Sequence, residues 1–257
     1  IPEELAAYTE EVTGFFMESD STGQDLMNLQ RFLPLEWLDL SECEALVAFD
    51  FFGLLPELTR LAFGDLPSLD DLTPLGKLTN LTELNLFGNT SLKNLSPLAG
   101  LTNLTELDLN GCVLVKDLSP LEGLTDLNTL NLQGCSMVED LSPLEGLNAL
   151  TNLVLSQCSL AKDLSSLRRL KNLQWLHLSG LTKLEKLDAL ADLSNLEQLD
   201  LDGCSSLVDV STLGTLSSLH RLDLSSCSSL SDLSPLSGME SLQTLNLSGC
   251  SALTDFS

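Results

Sequence analysis

The sequence predicts an α/β-type solenoid, with one curved parallel sheet inside and short 3₁₀ or helical turns on the convex side. Three observations predict it. Leucine recurs every 23 residues, at Leu35, Leu58, Leu81, Leu104, Leu127, Leu150, Leu173, Leu196, Leu219 and Leu242. From each, apolar residues follow at +3 and +5, then at +11, +14, +17 and +20. Ser-Pro or Thr-Pro pairs return at one place in that frame, at Thr73-Pro74, Ser96-Pro97, Ser119-Pro120, Ser142-Pro143 and Ser234-Pro235. A fixed period of this size marks a repeat architecture, in which no unit buries its own apolar face and stacking supplies the core.

The elements follow in chain order. Residues 1–11 (IPEELAAYTEE) precede the frame; Pro2 followed by two glutamates suits the start of a short helix, part of a cap. Residues 12–34 fit the frame loosely, through Val12, Phe15, Met17, Leu26, Leu29 and Phe32, and form a degenerate opening repeat. From Leu35 the repeats are regular. Leucines at +3 and +5 with polar residues between them have period two, the pattern of a short strand with one buried face. Apolar residues at every third position then suit 3₁₀-like turns, which have three residues per turn. The serines of the Ser-Pro pairs are expected as N-caps, with proline at the first helical position. Gly100, Gly123, Gly146 and Gly238 are expected to close those turns. The last unit, from Leu242, stops at Ser257 before its Ser-Pro turn, so the chain reads as a fragment of a longer protein.

Composition restricts the function. Aromatic residues make up only 5 % of the chain and the formal net charge is −25. Nucleic acid and anionic membranes need Lys and Arg, so neither is an expected partner. No apolar run reaches the length of a membrane span, roughly 18–20 residues. The charge serves solubility or a salty medium, and it permits a basic protein partner.

All seven cysteines fall in one column, at +8: Cys43, Cys112, Cys135, Cys158, Cys204, Cys227 and Cys250. Parallel side chains stacked one strand spacing apart neither converge for a disulfide nor surround a metal ion. The column therefore reads as a structural ladder of small buried thiols. Unpaired buried thiols favour an intracellular, reducing compartment. Five Asn-x-Ser/Thr sequons (Asn80, Asn89, Asn94, Asn103, Asn246) point instead to the extracellular surface, although most arise from the repeat phrase itself.

These phrases resemble a known family. "NLTELNLFGNTSLKNLSPLAGL" resembles the leucine-rich repeats of the internalin and protein-phosphatase-regulator class, with one extra residue after the Cys/Asn position. "GCSMVEDLSPL" is similar to the repeats of trypanosomatid leucine-rich repeat proteins, and "SGCSAL" to those of plant immune receptors. The resemblance implies a leucine-rich repeat horseshoe. It also implies that Asn89 bonds to backbone groups of its turn. It says little about function, because one fold hosts many partners.

Function is expected on the concave sheet, where +2, +4 and +6 point away from the core. Both tryptophans, Trp37 and Trp175, fall in the +2 column. Around Trp175 stand His177 on its own strand, Asn152 and Val154 on the preceding one, and Gln198 and Asp200 on the next, with Arg221 beyond. An aromatic centre with a polar rim is the anatomy of an interface core. Phe87 adds an aromatic toward the N-terminal half, while Trp37 also suits packing under the N-terminal segment. The aspartates Asp71, Asp117, Asp140, Asp163, Asp209, Asp232 and Asp255 precede the outer turns, where each can accept backbone N–H bonds or, stacked, favour a cation or a basic partner.

No catalytic motif, metal site or cofactor-binding phrase is present, and the two histidines, His177 and His220, lie about two rungs or ~10 Å apart by strand spacing. The expected function is a non-catalytic protein-recognition module. The alternatives are a structural scaffold within a larger assembly and, by likeness to acidic leucine-rich repeat inhibitors, an inhibitor of a basic protein.

Overall fold

The computed structural model describes residues 14–16, 35–43, 52–53 and 55–254. Eleven short strands form one parallel sheet in sequence order. They are β1 (Gly14–Phe16), β2 (Trp37–Asp39), β3 (Arg60–Ala62), β4 (Glu83–Asn85), β5 (Glu106–Asp108), β6 (Thr129–Asn131), β7 (Asn152–Val154), β8 (Trp175–His177), β9 (Gln198–Asp200), β10 (Arg221–Asp223) and β11 (Thr244–Asn246). Every pairing holds the 23-residue register, as in Leu130↔Leu153 and Leu153↔Leu176. The degenerate opening repeat keeps it too, with Phe15 beside Leu38. The expected cap at 1–11 and Asp255 lie outside the described residues.

The alternation of each strand sets its faces. The middle residue of each strand from β2 to β10 is buried, and the flanking two point to the concave side. Leucines at +11 to +20 enter the same core from the outer turns, giving one continuous hydrophobic column. At its N-terminal end two phenylalanines replace leucine, and Phe52 meets Phe63 edge-on, with ring centroids 5.9 Å apart. Toward the C-terminal end the core opens: Leu245 is 39 % exposed, whereas Leu222 one strand earlier is fully buried.

The convex turns are 3₁₀ helices, such as Ser96–Gly100, Ser119–Leu121, Ser142–Leu144 and Ser234–Gly238. Two expectations about them are corrected. The N-cap is the leucine before each serine, so serine is the first helical residue and proline the second, and no serine side chain caps the helix. The capping work falls to the preceding Asp column. Asp117, Asp140, Asp163 and Asp232 accept the N–H of Ser119, Ser142, Ser165 and Ser234 at 2.8 to 2.9 Å.

Gly100 and Gly238 are the last residues of their turns, as expected, whereas Gly123 and Gly146 lie two residues past theirs, and none of the four is left-handed. The left-handed residues are those at +7, between strand and ladder: Gly88, Gly111, Gly134, Gly180, Gly203 and Gly249, joined by Glu42, Asp65, Gln157 and Ser226. No helix among the described residues is long and apolar enough to cross a membrane.

Candidate functional site: the concave sheet

The cysteine ladder is structural in its geometry. The thiols of Cys112, Cys135, Cys158, Cys204, Cys227 and Cys250 each donate to a backbone carbonyl 26 residues earlier, at 2.9 to 3.3 Å. All seven cysteines are buried, and none is in a disulfide. Burial pushes the thiols of Cys112, Cys158, Cys204 and Cys227 up to about 12, so they stay protonated and unreactive. Asn89, in the same column, donates to the carbonyls of Phe63 and Leu86 and accepts from Leu66 N–H. Its side chain is fully buried, which closes that sequon to glycosylation.

The outward residues of the strands line the concave face. Two hollows among the described residues lie along it. The larger, about 540 Å³, runs from Trp37 on β2 to Asn152 and Val154 on β7. The smaller, about 300 Å³, is lined by His177, Gln198, Asp200, Arg221 and Asp223 on β8 to β10. Trp175 stands on β8 between them, half-buried rather than fully exposed. The register places it beside Asn152 and Gln198, and places His177 beside Val154 and Asp200. Arg221 follows one strand further on. Seven of the eight residues singled out in the sequence are thus brought together. Phe87 is not, because it lies beyond the end of β4, four strands away. Its ring covers the backbone of Gly64, where an added Cβ would strike it. Phe87 remains half-buried there, apart from the Trp175 cluster.

Charge divides the face into three zones. Glu83, Glu106 and Asp108 make β4 and β5 acidic, and Asp200, Asp202 and Asp223 do the same on β9 and β10, offset there by Arg221. Between them, the outward residues of β6, β7 and β8 include no Asp, Glu, Lys or Arg: Thr129 and Asn131, Asn152 and Val154, Trp175 and His177. His177 Nδ1 lies 3.7 Å from Asp200 Oδ2, longer than a hydrogen bond. That contact, with the Asp202 N–H, holds the Asp200 carboxyl below its ordinary range. Asn152 Oδ1 is covered and has no partner among the described residues.

The sequence reading missed a second role of the +4 column. Oδ1 of Asp39, Asn85, Asp108, Asn131, Asp200, Asp223 and Asn246 accepts the N–H two residues on, closing each strand end. The regular Asp/Asn at that position is the signal that could have shown it. Val154 and His177 break the pattern on adjacent strands. Among the described residues, no group of three or more His, Cys, Asp or Glu is placed to hold a metal ion.

Comparison with known proteins places this architecture. A model of paired leucine-rich repeats matches residues 79–123, 102–146 and 217–257. No curated protein sequence matches significantly. Among solved structures, internalin C2 of Listeria monocytogenes is 31 % identical, covering 76 % of this chain and 74 % of its own, with a TM-score of 0.50. The internalin InlF of the same organism is 24 % identical over 84 % of this chain and 68 % of its own, with a TM-score of 0.63. The functional domain of InlJ from that organism, described as including a cysteine ladder, is 21 % identical over 86 % of this chain and 55 % of its own, with a TM-score of 0.57. The last two likenesses speak for the fold alone. The chain belongs to the leucine-rich repeat family, is internalin-like in its repeats, and is a protein–protein interaction module.

Proposed function

We propose that the protein grips its partner on the concave sheet, centred on the uncharged window of β6 to β8, with Trp175, His177, Val154 and Asn152 at its middle. One observation carries this reading. In a chain of net charge −25, three consecutive strands present no ionised carboxylate to the concave side. Desolvating charge is costly, and interface cores are accordingly depleted of it and enriched in aromatic anchors. The acidic zones on either side supply a polar rim. They favour a partner whose own rim is basic, and they act mainly on the encounter rate.

The test is partner capture from an extract of the source cells, with wild type beside a Trp175→Ala/His177→Ala variant, at low and high salt. Retention by wild type in both salts, with loss by the variant, supports the window. Retention by wild type at low salt only marks a charge-driven complex and supports the reading as an inhibitor of a basic protein. Equal retention by both proteins moves the interface off the concave face. A scaffold role then takes over, for which Leu114 and Met137 are the observation. They are exposed, large and apolar, and lie at one repeat position on neighbouring units outside the concave face.

A further inference from the structure

We infer that the backbone N–H groups of Ser156 and Ser179 form a two-donor notch that binds a side-chain carboxylate of the protein partner. The inference rests on the concave reading above and names the chemistry of its anchor.

A backbone N–H at a strand end must find an acceptor. At β2 to β11 the group in question belongs to the residue two beyond the strand. Seven of these ten strands meet it with their own Asp or Asn Oδ1, at 2.7 to 3.1 Å. An eighth, at Gly64, uses Ser41 Oγ at 3.2 Å. The two left over are neighbours, on β7 and β8. Val154 and His177 occupy the places where an Asp or Asn would stand, and neither supplies an oxygen. Among the described residues nothing accepts from Ser156 N–H or Ser179 N–H, and neither serine hydroxyl has a partner. Ser156 is only 7 % exposed, so its polar groups have little access to water.

The molecule itself supplies the template for the missing group. In the sister repeats the acceptor is a side-chain oxygen of Asp or Asn, held on the concave side of the strand end. The two open donors sit on adjacent parallel strands, about 4.8 Å apart. A carboxylate has two oxygens for two donors and binds N–H groups more strongly than a neutral amide does. The imidazole of His177 sits at the end of β8, and the outward residues of β6 to β8 include no carboxylate. The carboxylates on the next unit are already engaged, Asp200 by His177 and the Asp202 N–H and Asp202 by the Ser225 hydroxyl. Val154, at the end of β7 two residues before Ser156, is the apolar neighbour that strengthens such a bond.

The test uses the full chain and small probes. Acetyl-aspartyl amide is titrated in the millimolar range while the backbone amides are followed by ¹H–¹⁵N correlation spectra. Acetyl-asparaginyl and acetyl-lysyl amides serve as controls. The expected result is a saturable downfield shift of the Ser156 and Ser179 amide protons with the aspartyl probe, a weaker one with the asparaginyl probe, and none with the lysyl probe. Asn110 and Gln133, already bonded to Asp108 and Asn131, stay in place. A Val154→Asn/His177→Asn variant supplies both acceptors from within. It is expected to stay folded, with an unchanged or raised Tm, and to lose the response. The inference is overturned by an absence of shift at Ser156 and Ser179, by an equal response to the aspartyl and asparaginyl probes, or by a response that survives in the double variant. Such a failure leaves concave recognition standing, because partner capture with the Trp175→Ala/His177→Ala variant tests that separately.

Discussion

The thiol of Cys135 donates to the carbonyl oxygen of Leu109, 26 residues earlier, at 3.2 Å. The bond joins one repeat to the preceding one inside the core, and the same contact recurs at Cys112, Cys158, Cys204, Cys227 and Cys250. A cysteine there fills a small space and satisfies a buried carbonyl. Cys135→Ala is expected to destabilise the fold by about 1–2 kcal/mol, from a small cavity and a lost weak hydrogen bond. Urea unfolding of variant against wild type measures it. Cys135→Asn can restore bonds of the kind Asn89 makes, at the cost of a larger side chain.

The ladder also makes stability sensitive to alkali. The thiols of Cys112, Cys158, Cys204 and Cys227 titrate near 12 in the folded chain, against an ordinary value of 9.0. Between these values the unfolded chain releases protons that the folded one keeps. The folded state therefore loses relative stability as pH rises from about 9 toward 12. Thermal unfolding followed across that window is expected to show a falling Tm. A variant with all four cysteines replaced by alanine is expected to show a shallower fall. A thiol reagent at neutral pH is expected to label these cysteines only after denaturation.

The outer aspartates act at the other end of the pH scale. Asp140 is held below its ordinary value of 3.8, chiefly by the N–H of Ser142, and Asp117, Asp163, Asp209 and Asp232 by the equivalent bonds. A depressed carboxylate contributes stability above its unfolded value and loses it as pH falls through the folded one. Replacing these five with asparagine keeps the acceptor and removes the titration. The variant is expected to show a flatter loss of Tm below pH 4 than wild type, and Asp→Ala variants a lower Tm at neutral pH.

Two glycines separate conformation from packing. Gly134 has φ +73°, and an added Cβ would sit 3.6 Å from Gly111, an ordinary contact. Gly134→Ala is therefore expected to cost about 1–2 kcal/mol, almost all of it for the left-handed backbone. Gly100 has ordinary φ and nothing within 4 Å of an added Cβ. Gly100→Ala is expected to be neutral or to stabilise by up to about 1 kcal/mol through the unfolded chain. Parallel denaturation curves of the two variants test this.

These positions also show what the sequence discloses. The strands and register are legible because Leu at +3 and +5 can satisfy only one pleat, and the ladder because every cysteine shares one offset. The convex turns are legible in place but not in their capping. Ser-Pro suggests a serine cap, yet the aspartate two residues earlier takes the N–H, because serine has already entered the helix. The left-handed column is obscured by Glu42, Asp65, Gln157 and Ser226, which adopt positive φ without being glycine. The Trp175 cluster is legible because +2 and +4 neighbours on adjacent strands must meet. Phe87 stands apart from that cluster because its +6 position lies past the end of β4, where its ring lies over Gly64. The open donors at Ser156 and Ser179 depend on what Val154 and His177 do not supply, which shows only against the bonds of the other strands.

The most direct test of the account compares the two tryptophans against a captured partner. Trp175 belongs to the uncharged window and Trp37 to the far end of the larger hollow. Binding of the partner to Trp175→Ala and Trp37→Ala is measured beside wild type. The account predicts a loss of about 2 kcal/mol or more for Trp175→Ala, roughly thirtyfold in Kd, and a much smaller change for Trp37→Ala. Equal losses, or a larger loss for Trp37→Ala, would contradict recognition centred on β6 to β8.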